Sequence, residues 1–331
     1  MALSTPTRTP PRRRGGASVS PAAPRRQAWR GRLHRLDVKG SPYAYIAPFF
    51  LLFCAFGLFP LLYTAWASLH RIELSSPDRQ VWVGLGNYTR LLHDPFFWNA
   101  LANTFTIGVI STVPQLLLAL GLAHLLNYQL RGRTFFRVSI LLPYVTSTAA
   151  AAIVFAQLFG RDFGFINWLL GLVGVHQIDW ESGRWTSQLA VSAIVIWRWT
   201  GYNAVIYLAA MQAVPPELYG AAAVDGAGPW QQFRHVTIPS LRPTIVFTVI
   251  VSTIGATQLF GEPLMFGGGT GHLGGANHQY QTLGVYLYDL GWYNFHLGRA
   301  AAVAWAMFLI VLVAVALNAL LVRRVRAGAR A

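Results

Sequence analysis

The chain has 331 residues, of which 54% are hydrophobic and only 11% charged, against about 25% charged in an average soluble protein. A globular core cannot absorb that much apolar surface, so the composition excludes an ordinary soluble domain and points to the membrane. The net charge of +15 also fits nucleic-acid binding, but ten of the 26 basic residues precede residue 40 and most others sit just outside apolar runs, a pattern that membrane topology explains and a nucleic-acid footprint does not.

Residues 1–40, rich in Arg, Pro, Ser and Gly, are expected to be a disordered basic tail. The apolar segment that follows exceeds the roughly 7–15 residues of a secretory signal core, although Ala65-Trp66-Ala67 mimics a cleavage site, so it is read as an uncleaved span. A membrane helix needs roughly 20 mostly apolar residues. Six stretches qualify: 43–69, 101–126, 138–159, 189–211, 245–264 and 300–322. The expected fold is therefore all-α, a polytopic membrane protein with six transmembrane helices. Cys54, the only cysteine, lies in the first span and is expected to be a buried small apolar residue. It permits no intrachain disulfide and no cysteine-based metal site. The third and fourth spans carry more Ser, Thr, Gln and Trp than lipid-facing helices do, so they are expected to face other helices or an aqueous path.

The positive-inside rule sets the orientation. With the N-terminus inside, the cytoplasmic side holds 19 of the 26 basic residues, and the outer loops hold Arg71, Arg79, Arg90, Arg161, Arg184 and Arg299. The inner set includes the tail, Arg131, Arg133, Arg137, Arg234, Arg242, Arg323, Arg324, Arg326 and Arg330. Both termini and the 213–241 loop are thus expected to be cytoplasmic.

That loop is the most informative segment. Pro215 and Pro216 suit the first turn of a helix, where no backbone donor is needed. Residues 217–224 are good helix formers, and Asp225-Gly226 is a turn signal that ends the run. Gly228-Pro229 starts a second short helix, expected to stop near Ile238 because Pro239 disfavours helical geometry in the residue before it. Ala221, Ala222 and Ala223 let a partner approach closely. Trp230, Phe233 and Val236, at spacing three, give the second helix one apolar face. An amphipathic hairpin lying on the headgroups is the plain alternative.

The pattern resembles the coupling loop, called the EAA loop, of bacterial ABC-importer permeases. Ala221, Ala222, Asp225, Gly226, Ala227, Phe233, Val236, Ile238 and Pro239 fall at that family's spacing. In one departure, Gly220 stands where the family usually has Glu; Glu217, one turn earlier, partly substitutes. Gly84-Leu85-Gly86-Asn87-Tyr88 through Asn103-Thr104, Arg131-Gly132-Arg133-Thr134-Phe135-Phe136-Arg137 and Gly298-Arg299-Ala300 resemble further segments of the carbohydrate-uptake branch. The subunit type is similar to the first permease of a maltose or glycerol-phosphate system. Gly255-Ala256-Thr257-Gln258-Leu259-Phe260-Gly261-Glu262-Pro263 and Tyr280-Gln281-Thr282-Leu283-Gly284 most resemble permeases for cellobiose and cello-oligosaccharides.

The resemblance implies a type I ABC importer permease-like fold in a bacterial plasma (inner) membrane, with a permease domain over 41–331. It implies that Glu217, Gly220, Ala221, Ala222, Asp225, Gly226, Ala227, Phe233 and Pro239 couple to an ATPase, and that the chain performs no bond chemistry. The implied partners are a second permease subunit in a heterodimer, two copies of an ABC ATPase, an extracellular sugar-binding protein, the sugar and membrane lipid, with no nucleic acid. No cofactor is implied in this chain, since ATP and Mg would be bound by the partner ATPase. The residues agree on the last point. A phosphate-binding loop needs a Gly-Lys-Ser/Thr run, and the only Lys, Lys39, lies between Val38 and Gly40.

An ion-coupled secondary sugar transporter is the rival class, but the ionisable set within the spans is thin: Arg198, His124 and Glu262. No paired carboxylates or nucleophile-base motif suggest an enzyme. His272 and His278 share a glycine-rich outer loop, read as mobile rather than as a metal site.

Sugars are held by hydrogen bonds and by stacking on aromatic faces. The fourth span offers both in Trp197, Arg198, Trp199, Thr200, Gly201, Tyr202 and Asn203. Arg198, Trp199, Tyr202 and Asn203 are candidates for a substrate path. Arg198 paired to backbone carbonyls in simple interhelical packing is the alternative. Gly201 is a candidate for local unwinding. In the fifth span Ser252, Thr253, Gln258 and Glu262 are candidates, while Gly255 is read as a packing contact. The 263–299 loop, with Tyr280, Trp292, Tyr293 and His296, is expected to meet the binding protein.

Overall fold

The structure, a computed structural model, describes residues 41, 43–76, 80–127, 132–267 and 273–328. The basic tail, Arg79, Arg131, His272 and Arg330 lie outside them, as do the side chains of Arg133, Arg323, Arg324 and Arg326. The chain divides between residues 62 and 63 into two units, taken here in turn.

The smaller unit holds most of helix α1 (Tyr43–Ser68). A π-turn at Cys54–Leu58 widens it, and Phe49 stacks on Phe53 with ring centroids 6.3 Å apart. Cys54 is exposed rather than buried. The reason is general to the helix: it is apolar on every side, and none of its most apolar stretch is buried within the chain. Such a helix suits lipid or another subunit.

The larger unit adds a short antiparallel pair, β1 (His70–Arg71) with β2 (Val81–Trp82), and then α2 (Gly86–His93) and α3 (Pro95–Asn127). There follow α4 (Arg133–Val145), α5 (Thr148–Leu158), α6 (Phe165–Leu172), α7 (Arg184–Gln212) and α8 (Pro216–Val224). The last elements are α9 (Pro229–Thr257), α10 (Gly261–Phe266), α11 (Leu283–Tyr288) and α12 (Leu297–Gly328). Among the described residues five helices are long and apolar enough to cross a membrane, and α4 with α5 makes a sixth if the pair is one span.

The centre is the α3–α7 pair. Ala119, Ala123 and Ala204 have no exposed surface and let the backbones approach closely. Around them Leu126, Tyr207, Leu208, Met211, Phe233 and Leu241 form a cluster at the end of the bundle that carries α8. A second cluster, with Ile107, Ala151, Val191, Ile194, Phe266 and Tyr280, occupies the other end. There a buried polar network ties the strand of chain before α11 to the bundle. Asn103 donates to the carbonyls of His278 at 2.8 Å and Gln281 at 3.1 Å. Gln188 donates to Asn103 Oδ1 at 2.9 Å and to the Gln279 carbonyl at 2.9 Å, and accepts from Thr106 at 2.7 Å. Fixed this way, the described part of the glycine-rich loop is anchored rather than mobile, and Tyr280 is core rather than exposed surface. Trp292 and Tyr293 do remain exposed.

Two spans depart from the straight helices expected. The third breaks at Thr146-Ser147, where α4 and α5 meet at 92°. Thr146 and Ser147 both take extended backbone, with ψ of 140° and 132°. Neither the proline at 143 nor composition marks the angle; Ser147 sits at the N-cap, a position its type favours. The fifth span ends at Thr257, and Gln258–Phe260 separates it from α10. At its other end it starts earlier than expected. The second loop helix does not stop near Ile238 but runs on through Pro239 into the span. A π-turn at Phe233–Thr237 explains this: the widened turn sends the Ile238 N–H to the Phe233 carbonyl, five residues back, so the ring of Pro239 meets a turn already opened.

Candidate functional site

Two regions bring the candidate residues together, and both lie in the larger unit. The first is a cavity of about 500 Å³ between α3, α7, α9 and α10. It gathers Arg198, Trp199, Ser252, Gln258 and Glu262, five of the eight substrate-path candidates. It also gathers Ser111, Thr112 and Gln115 from α3 and Thr148 from the start of α5, none of which the sequence reading singled out. Three polar residues within five positions at the middle of a long apolar span were the available signal for the α3 group. Gln115 is buried and donates to Ser252 Oγ at 3.4 Å.

Arg198 and Glu262 form an ion pair, Nη1 to Oε1, at 2.5 Å. Their side chains are 11% and 6% exposed. Arg198 Nη2 reaches the Thr146 carbonyl at 3.5 Å, so this one side chain ties together both broken spans: the α4–α5 corner and the start of α10. Its Nε is buried without a partner. Arg198 is thus paired to a carbonyl, as the packing alternative held, and lines the cavity as well.

Tyr202 and Asn203 do not line it. Tyr202 stacks on Tyr144 at 4.7 Å and meets Trp199 edge-on at 5.8 Å, which makes an aromatic trio beside the cavity. Asn203 is buried and donates to the Trp199 carbonyl at 3.2 Å. Thr253 turns back to its own helix, donating to the Val249 carbonyl at 2.8 Å. Gly255 borders the cavity with open space where a β-carbon would sit, so it is not a packing contact. Gly201 does not unwind α7. The helix is continuous there, and a β-carbon would collide with the Ile140 carbonyl oxygen of α4. The residue is glycine because two backbones touch.

The second region is the loop of α8 and the start of α9. Pro215 is the N-cap of α8 and Pro216 its first residue. Gly226 takes φ of 80°, the left-handed geometry that a β-carbon disfavours, and so ends the helix. At the next start, Gln231 Oε1 accepts from the Gly228 N–H at 2.8 Å. No residue of α8 is buried. Glu217, Gly220 and Ala221 are exposed, and a β-carbon on Gly220 would meet nothing within 4 Å.

Between the two helices lies a notch of about 340 Å³, lined by Ala222, Asp225, Gly226, Ala227, Gln231, His235 and Val236. Gln231 and His235 are additions to the expected set. Of the three residues expected to share one apolar face, Trp230 and Phe233 are in ring contact at 5.5 Å but differ in burial. Trp230 is 67% exposed, whereas Phe233 is 7% exposed and buried in the bundle. Pro239, half-buried, stands just past the π-turn. Tyr219 and Thr237 meet hydroxyl to hydroxyl at 3.0 Å and brace α8 against the π-turn.

Apolar helices with a cavity of mixed polar and apolar lining between them, and an exposed two-helix loop continuous with one span, define a multi-pass membrane transport component. The family of inner membrane components of binding-protein-dependent transport systems matches residues 115–327, and the chain belongs to it. The lactose transport system permease protein of Rhizobium radiobacter is 38% identical over 281 residues, 84% of this chain and 91% of the relative. The arabinooligosaccharides transport system permease protein of Bacillus subtilis is 33% identical over 311 residues, 92% of this chain and 94% of the relative. A chain of a bacterial alginate ABC transporter, crystallised with its pentasaccharide-bound periplasmic protein, has the same fold: TM-score 0.74 at 21% identity, covering 88% of this chain and 97% of that one. Membership of this family leaves the ion-coupled alternative without support.

Proposed function

We propose that the chain is the permease subunit of a binding-protein-dependent ABC importer for a di- or oligosaccharide, and that it works by alternating access without bond chemistry of its own. One observation carries this reading. Helix α9 runs from Gln231 in the exposed notch to Ser252 in the cavity wall as one helix, about 32 Å along its axis. A force applied at the loop therefore acts on the cavity through a single element.

In this reading the α8–α9 loop and both termini are cytoplasmic, as the distribution of basic residues favours. The loop docks on one of two ABC ATPase chains, which bind and hydrolyse ATP with Mg. Glu217, Gly220, Ala221 and the notch residues form the contact, while Phe233 anchors the loop to the bundle. A second permease supplies the other half of the solute path. A sugar-binding protein delivers its cargo at the opposite face, near exposed Trp292 and Tyr293. ATP closure draws the two docked loops together and turns the spans outward; hydrolysis resets them. Each step is driven by differential binding to the two states. The relatives' sugars support a short saccharide as cargo, and the segments at 255–263 and 280–284 favour a cello-oligosaccharide.

The test is sugar uptake in a strain lacking this chain, with copurification of the complex. Uptake restored by the chain should persist when an uncoupler is added at constant ATP, and a nucleotide-binding subunit should copurify. Substitution of Asp225 or Gly226 should weaken that association. Uptake that collapses with the uncoupler, with no ATPase recovered, would overturn the reading.

A further inference from the structure

We propose that Glu262 sets the charge class of the solute: it masks Arg198 so that the cavity accepts uncharged saccharides and rejects carboxylated ones. This rests on reading the cavity as the solute path. Among the described residues lining it, Arg198 and Glu262 are the only ionisable side chains. They face each other at 2.5 Å, so this wall has no net charge. It is nonetheless rich in hydrogen-bonding groups from Ser111, Thr112, Gln115, Thr148, Ser252 and Gln258, with Trp199 for stacking.

A saccharide carboxylate fares differently. The guanidinium that would receive it already holds a carboxylate, and a second one alongside meets like charge in a site of low solvent exposure. Rejection of the wrong partner by an uncompensated like charge is a standard source of specificity. Glu262→Gln keeps the shape and an oxygen for Arg198, but leaves the wall with one positive charge. The rejected class then becomes the favoured one. The pair also spans the two broken helices, so a structural role must be separated from the electrostatic one.

The experiment uses the complete transporter complex with this chain carrying Cys54→Ser and Ser252→Cys, and measures protection of the new thiol from alkylation. The probes are cellobiose, lactose and maltose, each against its own aldonic acid. With Glu262 in place, a neutral sugar should protect at a concentration at least about ten-fold below that of its acid. Glu262→Gln should shrink or reverse that ratio by roughly ten-fold or more. The charge-keeping Glu262→Asp should preserve the ratio, and the double variant Arg198→Gln with Glu262→Gln, which removes the attracting cation along with the repelling carboxylate, should give a ratio between those of the native chain and Glu262→Gln. A merely structural role would change protection by both members of each pair equally. Protection by the neutral sugars with an unchanged ratio in Glu262→Gln overturns the charge-masking inference alone. Failure of every probe to protect overturns the solute-path reading and the inference with it.

Discussion

The ring of Phe233 lies 4.2 Å from the imidazole of His124, centroid to centroid. This contact keys the α8–α9 loop to the C-terminal end of α3, where Phe233 belongs to one apolar cluster with Tyr207, Leu208, Met211 and Leu241. Truncation of a buried phenylalanine costs about 3–5 kcal/mol. Phe233→Ala should therefore release the loop: limited proteolysis between residues 213 and 229 should accelerate, and uptake should fall severely while the chain still inserts. Trp230→Ala, at an exposed site, should leave the proteolysis rate unchanged. Equal rates in the two variants would show that Phe233 is not the anchor.

Gly220 has open space on its β side and sits inside a helix. Gly220→Glu should be stabilising by up to about 1 kcal/mol through helix propensity, and it adds a carboxylate to the exposed face of α8. Uptake should be preserved or raised, and copurification of the ATPase should strengthen. Complete loss of uptake would mean that the loop here docks in a different manner.

Gly201 touches the backbone of α4 at Ile140. Gly201→Ala should force the two helices apart and destabilise the fold by about 1–3 kcal/mol. A lower melting midpoint of the purified complex is the expected result. Since Arg198 lies one turn away and holds the Thr146 carbonyl, uptake should drop as well. An unchanged midpoint would mean that the α4–α7 contact is looser than drawn.

Asp289, in the turn that follows α11, has its carboxyl pushed above the ordinary carboxylate range by burial, an effect that nearby His278 and the Gln281 side chain only partly oppose. The folded chain then holds this proton more tightly than the unfolded chain, so stability falls as pH rises from the ordinary carboxylate value through the raised one. Asp289→Asn should stabilise the protein at neutral pH, and the advantage should vanish in acid, below the ordinary carboxylate range. Melting midpoints of the two proteins against pH, at one scan rate, would show whether the curves converge in acid as required.

Much of this was legible in the chain. Runs of about 20 apolar residues place the helices, because the bilayer imposes its own length scale. The Pro-Pro, Asp-Gly and Gly-Pro signals at 215, 225 and 228 mark α8 and its turn, because they act through local backbone geometry. What escaped reading is what depends on contacts between distant segments. Thr148 and Gln115 join the cavity only because the third span turns at Thr146 and α3 packs beside α9. Tyr280 looked like exposed loop and is core, since the carbonyls around it are claimed by Asn103 and Gln188. Pro239 looked like a terminator, since the rule for the residue before proline assumes a normal α-turn, and the π-turn ahead of it removes that premise.

That π-turn has a mechanical consequence. Had Pro239 ended the helix, a flexible joint would stand between loop and span, and a tug on one would be absorbed before reaching the other. With helix running through that point instead, the lever arm from loop to Ser252 has no free hinge at residue 238; Pro239 and Pro243, which bring no N–H of their own, are the places along it where bending is easiest.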